Sequence, residues 1–184
     1  MIPRFAAALA LVLLGACAAL GPKVHDAPPY DLLGRVLVSY EGRAFTSNLR
    51  WVHRPGEDEI WLLSPLGQTL AYITDGAEGA SITGVDRQIY RASSVESLTQ
   101  RALGWEMPVP RLRYWVLGEV YPGSEASWLE RDASDRLLGF KQDGWSVRFD
   151  YDVADPARRQ PRRVEIDTGA VRIRLVIDTW RDVQ

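Results

Sequence analysis

Apolar and polar residues alternate with a period of two along many stretches of the chain, the pattern of strands that bury one face. In Gly34–Tyr40, Val36, Val38 and Tyr40 share one face, and Arg35, Leu37 and Ser39 the other. After a turn at Gly42, Phe45, Ser47, Leu49 and Trp51 alternate with Thr46, Asn48 and Arg50, which predicts an antiparallel hairpin. Arg54-Pro55-Gly56-Glu57 makes the next turn. A second hairpin then runs from Glu59 to Thr74 and ends at Asp75-Gly76. Short strands are expected over Gly79–Thr83 and Arg87–Arg91. Later strands are expected over Ser127–Arg131, Arg136–Gln142, Trp145–Asp152, Arg163–Thr168 and Val171–Trp180, with turns at Gly144 and Gly169. The clearest alternating sets are Trp145, Val147, Phe149, Tyr151 and Val171, Ile173, Leu175, Ile177.

The period changes at Ser93. Ser93 or Ser94 can cap a helix whose apolar positions are Val95, Leu98, Ala102 and Leu103, and Gly104 can end it. Met107-Pro108-Val109-Pro110 forms an apolar extended link. A second short helix is predicted over Pro110–Leu117, with Leu112, Trp115 and Val116 on one side and Gly118 as the stop. Strands, two helices and strands again describe a mainly β (α+β) chain. Its long antiparallel sheet curls toward a barrel, and the helices cover the concave side. Such a curl can hold an apolar cavity for a long ligand. Val36, Val38, Leu49, Trp51, Trp115, Phe149 and Ile173 are the expected lining residues.

The second hairpin carries an anomaly. Its tip is Pro65-Leu66-Gly67, between the apolar runs of Ile60–Ile73. Pro and Gly supply turn chemistry, but hairpin tips lie on the surface and favour polar residues. Leu66 either folds back into the core or points outward to meet something apolar.

The 184 residues are 46% hydrophobic and 25% charged, which suits one globular domain with a substantial core. The first residues stand apart from it. Arg4 begins a positive region, Phe5–Leu14 is apolar but too short to span a bilayer, and the small residues Gly15 and Ala16 lead to Cys17, the single cysteine. Residues 1–16 are therefore expected to be a secretory signal. Leu14-Gly15-Ala16-Cys17 also resembles the lipobox of bacterial lipoproteins, in which the cysteine is acylated and becomes the new N-terminus. Ala18 after it resembles the signal for the outer rather than the inner membrane. Residues 17–29, with Gly21, Pro22, Pro28 and Pro29, are expected to form an extended tether, and residues 30–184 the folded domain. Removal of Arg4 leaves 21 of the 22 basic side chains against 24 acidic ones, a net charge of −3 and no basic surface for nucleic acid.

Catalytic chemistry finds little support. His25 falls in the tether, and His53 sits near a turn with no second His or Cys at ligand spacing. The sequence holds no nucleophile elbow, phosphate loop or dinucleotide fingerprint. Asp150 and Asp152 share a strand face, but it is the solvent side, opposite Phe149 and Tyr151. No metal or cofactor is expected.

Several motifs in order resemble the LolB family of outer-membrane lipoprotein receptors: the lipobox at Cys17, Gly34-Arg35, Trp51, Pro65-Leu66-Gly67, Met107-Pro108-Val109-Pro110, Trp115-Val116-Leu117-Gly118 and Asp178-Thr179-Trp180. The resemblance spans Leu32 to Trp180. It implies an unclosed antiparallel β-barrel with a short helical lid over an apolar cavity. It also implies a monomeric receptor, anchored in the outer membrane and facing the periplasm. Such a receptor accepts lipoproteins from a LolA-like periplasmic carrier by their acyl chains and inserts them into outer-membrane lipid. The family's exposed leucine maps onto Leu66, making Pro65, Leu66 and Gly67 the membrane-insertion loop. The alternative is a structural or assembly lipoprotein subunit without a ligand; a soluble carrier would not need Cys17.

Overall fold

The computed structural model describes residues 25–155 and 157–183. The expected signal sequence, Cys17 and most of the tether lie outside them. Eleven strands form one sheet: β1 (Tyr30–Tyr40), β2 (Arg43–Arg54), β3 (Glu57–Leu63), β4 (Thr69–Gly76), β5 (Gly79–Gly84), β6 (Ile89–Ala92), β7 (Ala126–Arg131), β8 (Leu137–Gln142), β9 (Trp145–Asp150), β10 (Arg163–Asp167) and β11 (Val171–Arg181). Two helices, α1 (Val95–Leu103) and α2 (Val109–Trp115), lie between β6 and β7 in the chain.

The spatial order is β6-β5-β4-β3-β2-β1-β11-β10-β9-β8-β7, and every neighbouring pair is antiparallel. The edges β6 and β7 do not pair with each other, so the barrel is unclosed. The first and last strands meet at the centre. There Arg35 on β1 donates from Nε and Nη2 to the carboxylate of Asp178 on β11, at 3.1 and 2.8 Å. Beside it, Gly34 sits at a bulge where an added Cβ would lie 2.2 Å from the Val176 carbonyl oxygen. Only glycine lets the two backbones approach so closely.

The register sorts the turns onto two rims. The β1–β2, β3–β4, β5–β6, β8–β9 and β10–β11 turns lie on one; the β2–β3, β4–β5, β7–β8 and β9–β10 connections lie on the other. The segment holding both helices crosses from the second rim, where β6 ends, to the first, where β7 begins. Ser94 caps α1 by accepting from the Ser97 amide, and Gly104 ends it in the left-handed conformation, φ 81°. The second helix starts one residue earlier than expected and stops at Trp115, because the chain then tightens: Leu117 and Gly118 donate to the Tyr114 and Trp115 carbonyls.

Candidate functional site

The β3–β4 tip is a three-residue loop closed by Ser64 and Gln68. The Ser64 amide donates to the Gln68 carbonyl (2.8 Å), and the Gly67 amide to the Ser64 carbonyl (2.9 Å). Gly67 adopts φ 80°, the left-handed closing position of such loops. The Ser64 hydroxyl braces the loop by accepting from the Gln68 amide. Leu66, held at the apex, is 89% exposed. The inward alternative therefore falls: a rigid turn presents this side chain to the outside.

The seven expected lining residues lie together on the inner side of the sheet or on the helix facing it. Leu49, Trp51, Phe149 and Ile173 are buried in one apolar cluster with Trp115, and Val36 and Val38 pack against it half-buried. Cross-strand pairing aligns them: Val36 opposite Leu175 and Val38 opposite Ile173 on one side, Ser47 and Phe45 on the other. The space beneath the helices is filled by the helical segment's own side chains. Val95, Val109, Trp115 and Val116 have no exposure, and Trp115 donates from Nε1 to Gln142 Oε1 at 3.0 Å. At the rim shared with Leu66, a groove of about 340 Å³ opens between the helices and the β8–β9 and β10–β11 turns. Trp105, Pro108, Trp145 and Val171 form its apolar floor, and Arg111 closes one side by pairing with Asp143.

A buried polar node joins the helical lid to the sheet at the opposite rim. Asp58, 1% exposed, accepts at Oδ1 from Trp51 Nε1 (2.7 Å) and faces His53 Nδ1 (3.0 Å); its Oδ2 accepts from Arg113 Nε (2.6 Å). Arg113 Nη2 reaches Asp75 on β4 at 3.0 Å. Burial pushes the Asp75 carboxyl up to about 6, opposed by Arg113 and assisted by the negative charge of Asp58. The end of the expected tether docks here. The second ring nitrogen of His53 meets the Ala27 carbonyl (3.2 Å), Asp26 accepts from the Gly56 amide (2.6 Å), and the Tyr114 hydroxyl donates to the His25 carbonyl. Ala27 is 1% exposed, so the folded unit reaches back past Tyr30.

This node escaped the sequence reading, which noted His53 only as a residue near a turn without metal-ligating company. Its signal was present in the alternation. His53 continues the inward series Leu49, Trp51; Asp58 precedes Ile60; Asp75 follows Ile73; and Arg113 lies one helical turn from Val109. A charged residue extending an apolar stripe marks a buried pair. Asp150 and Asp152, by contrast, face arginines outside the interior: Asp150 pairs with Arg163, and Asp152 lies 3.9 Å from Arg162.

Comparison with known proteins adds a lineage to this geometry. The profile of the family described as outer membrane lipoprotein LolB matches residues 28–180. Proteins named outer-membrane lipoprotein LolB from Nitrosomonas europaea and Azoarcus sp. are 34% and 36% identical, over 93% and 98% of this chain and 88% and 97% of theirs. One from Thiobacillus denitrificans is 34% identical over 91% of each. Among solved structures, a LolA superfamily protein from Nitrosomonas europaea superposes with a TM-score of 0.52 at 9% identity, covering 87% of this chain and 88% of its own. That similarity is one of fold.

Proposed function

Because this chain belongs to the LolB family of outer-membrane lipoproteins, which localise lipoproteins and are not enzymes, we propose that it receives lipoproteins by their acyl chains and releases them into outer-membrane lipid. It is a lipid-anchored protein of the outer membrane. In the proposed cycle, a LolA-like periplasmic carrier presents the cargo at the rim groove. The helical segment moves away from the sheet, and the acyl chains take the places of Val109, Leu112, Trp115 and Val116 against the inner face. Cys17 carries the anchor.

The energetics favour an enclosed route. At roughly 0.8 kcal/mol per methylene, a chain of about fifteen methylenes costs roughly 12 kcal/mol to expose to water. Handover must keep it covered, and with no nucleotide site in the sequence it runs on differences in affinity. The observation that carries the reading is Leu66: a fully presented leucine, held by a rigid turn at the rim where the groove opens, beside an otherwise closed apolar interior. The test is reconstituted transfer. Carrier loaded with a labelled lipoprotein is mixed with this protein in liposomes. The reading expects label to leave the carrier and enter the liposomes only when this protein is present; label that stays on the carrier would overturn it.

A further inference from the structure

A second turn on the same rim has the build of the Leu66 turn. In the β5–β6 connection the Gly84 amide donates to the Gln88 carbonyl (3.3 Å), and the Arg87 amide to the Gly84 carbonyl (3.0 Å), the same two bonds that close Ser64–Gln68. Arg87 takes the left-handed position held by Gly67, at φ 61°. The loop presents Val85, 73% exposed, at the position of Pro65, and Asp86 at the position of Leu66, where Oδ1 accepts from the Gln88 amide at 3.0 Å. A third turn of this build, Asp132–Arg136, lies on the opposite rim and presents only Ala133, Ser134 and Asp135. Two of the three turns thus expose a large apolar side chain, Leu66 at the apex of one and Val85 beside the apex of the other, and both are on the rim where the groove opens.

We propose that the β5–β6 turn is a second membrane-contact loop, with Val85 entering the lipid headgroup layer beside Leu66 and Arg87 meeting lipid phosphates. This rests on the role proposed above for Leu66. The register supports the joint placement. The two tips are separated by two strands, about 10 Å at the usual strand spacing. Ala71 pairs with both Leu62 and Gly84, so the Gly84–Gln88 closure stands two residues behind Ser64, roughly 7 Å at the strand rise. Seven across ten is an offset of about 35° from the perpendicular to the strands, within the range of strand tilts in curled barrels. One surface can touch both. Arg87 is exposed and has no ion-pair partner among the described residues, leaving it free for phosphate.

The anchor permits this orientation. The chain docks through Asp26 at the opposite rim, and the nine residues from Cys17 to Asp26 reach roughly 30 Å when extended. From Asp58 to the Leu66 tip is about 25 Å, five strand steps and a turn. That reach exceeds the distance, so an anchored copy can set this rim against its own membrane. Each apolar side chain that enters lipid adds to membrane affinity, and contacts on two neighbouring loops fix the tilt.

Cys17 is the only cysteine and is consumed by lipidation, so a new cysteine in the full lipidated chain is a unique labelling site. Leu66→Cys, Val85→Cys and Val153→Cys, each bearing an environment-sensitive fluorophore, are reconstituted in phosphatidylethanolamine–phosphatidylglycerol vesicles with and without brominated acyl chains. Val153 is 94% exposed on the opposite rim and serves as the control. The proposal expects blue-shifted, bromine-quenched emission at 66 and 85, and neither at 153. Quenching at 66 alone would overturn the second loop and leave the Leu66 reading standing. Quenching at none would remove both, and equal quenching at all three would show that no rim is selected, overturning the proposal.

Discussion

Replacing Leu66 with glutamate separates a membrane role from a packing role. Full burial of a leucine contributes about 1.5–3 kcal/mol. With 89% of Leu66 exposed, only about a tenth of that is at stake in the folded protein, roughly 0.3 kcal/mol. For a domain of this size such a change moves the melting temperature by about 1 °C. The turn itself stays, since its bonds come from Ser64, Gly67 and Gln68. Against lipid the balance reverses. Losing the inserted leucine forfeits about 1.5–3 kcal/mol, a tenfold to hundredfold loss in membrane-engaged protein, and a carboxylate opposes insertion further. Leu66→Glu is therefore expected to melt with the parent, to accept lipoprotein from the carrier, and to deliver it to liposomes at least about tenfold more slowly. The assay is the liposome transfer reaction beside a melting curve. Normal delivery would refute the role of Leu66, and a fall in melting temperature beyond about 5 °C would show that it packs in the fold.

Other consequences follow from the polar node, the central bulge and the anchor. Asp75 has a folded pKa of about 6, above its unfolded value, so it favours the fold when protonated and its contribution is lost as pH rises from about 4 through 6. Asp75→Asn cannot titrate; denaturant unfolding should show its stability relative to the parent rising by about 3 kcal/mol between pH 4 and pH 7, and a fall instead would reverse the sign of the argument. Gly34→Ala drives a Cβ against the Val176 carbonyl and is expected to cost about 1–3 kcal/mol, read from the denaturant midpoint; an unchanged midpoint would show that the β1–β11 bulge yields freely. Cys17→Ala should leave the protein unacylated by mass spectrometry and absent from the outer-membrane fraction, and an acylated, membrane-bound variant would place the anchor elsewhere.

Strands were legible because each buries one face of an open sheet, so the period of two survives in Phe45–Trp51, Trp145–Phe149 and Val171–Ile177 almost without exception. The same alternation brought Val36, Val38, Leu49, Trp51, Phe149 and Ile173 onto one side. Boundaries were less legible. β9 ends at Asp150 rather than Asp152, and Tyr151 instead sends its hydroxyl to the Leu137 carbonyl. β1 and β2 run beyond the expected limits because they pair with each other over their whole length. The node of His53, Asp58, Asp75 and Arg113 was legible only in part: each residue extends an apolar stripe, but no local pattern announces that four charged or polar residues from β2, β3, β4 and α2 will converge. Leu66 was legible only as a contradiction between residue type and turn chemistry; the fold resolved it by giving the turn no neighbour to cover its tip. Val85 carried no such contradiction, and its placement depends on the stagger between hairpins.

Acyl chains that bind between the sheet and the helical segment must displace the helices from the inner face. The most direct measurement is hydrogen exchange on the lipidated protein in liposomes, before and after it receives a triacylated lipoprotein from the carrier. Cargo is expected to raise exchange in α1 and α2, as their apolar side chains leave the interior, while the central strands β1, β2 and β11 stay protected. Cargo that binds without altering exchange in either helix, or that protects only the outer face of the sheet, would contradict that placement.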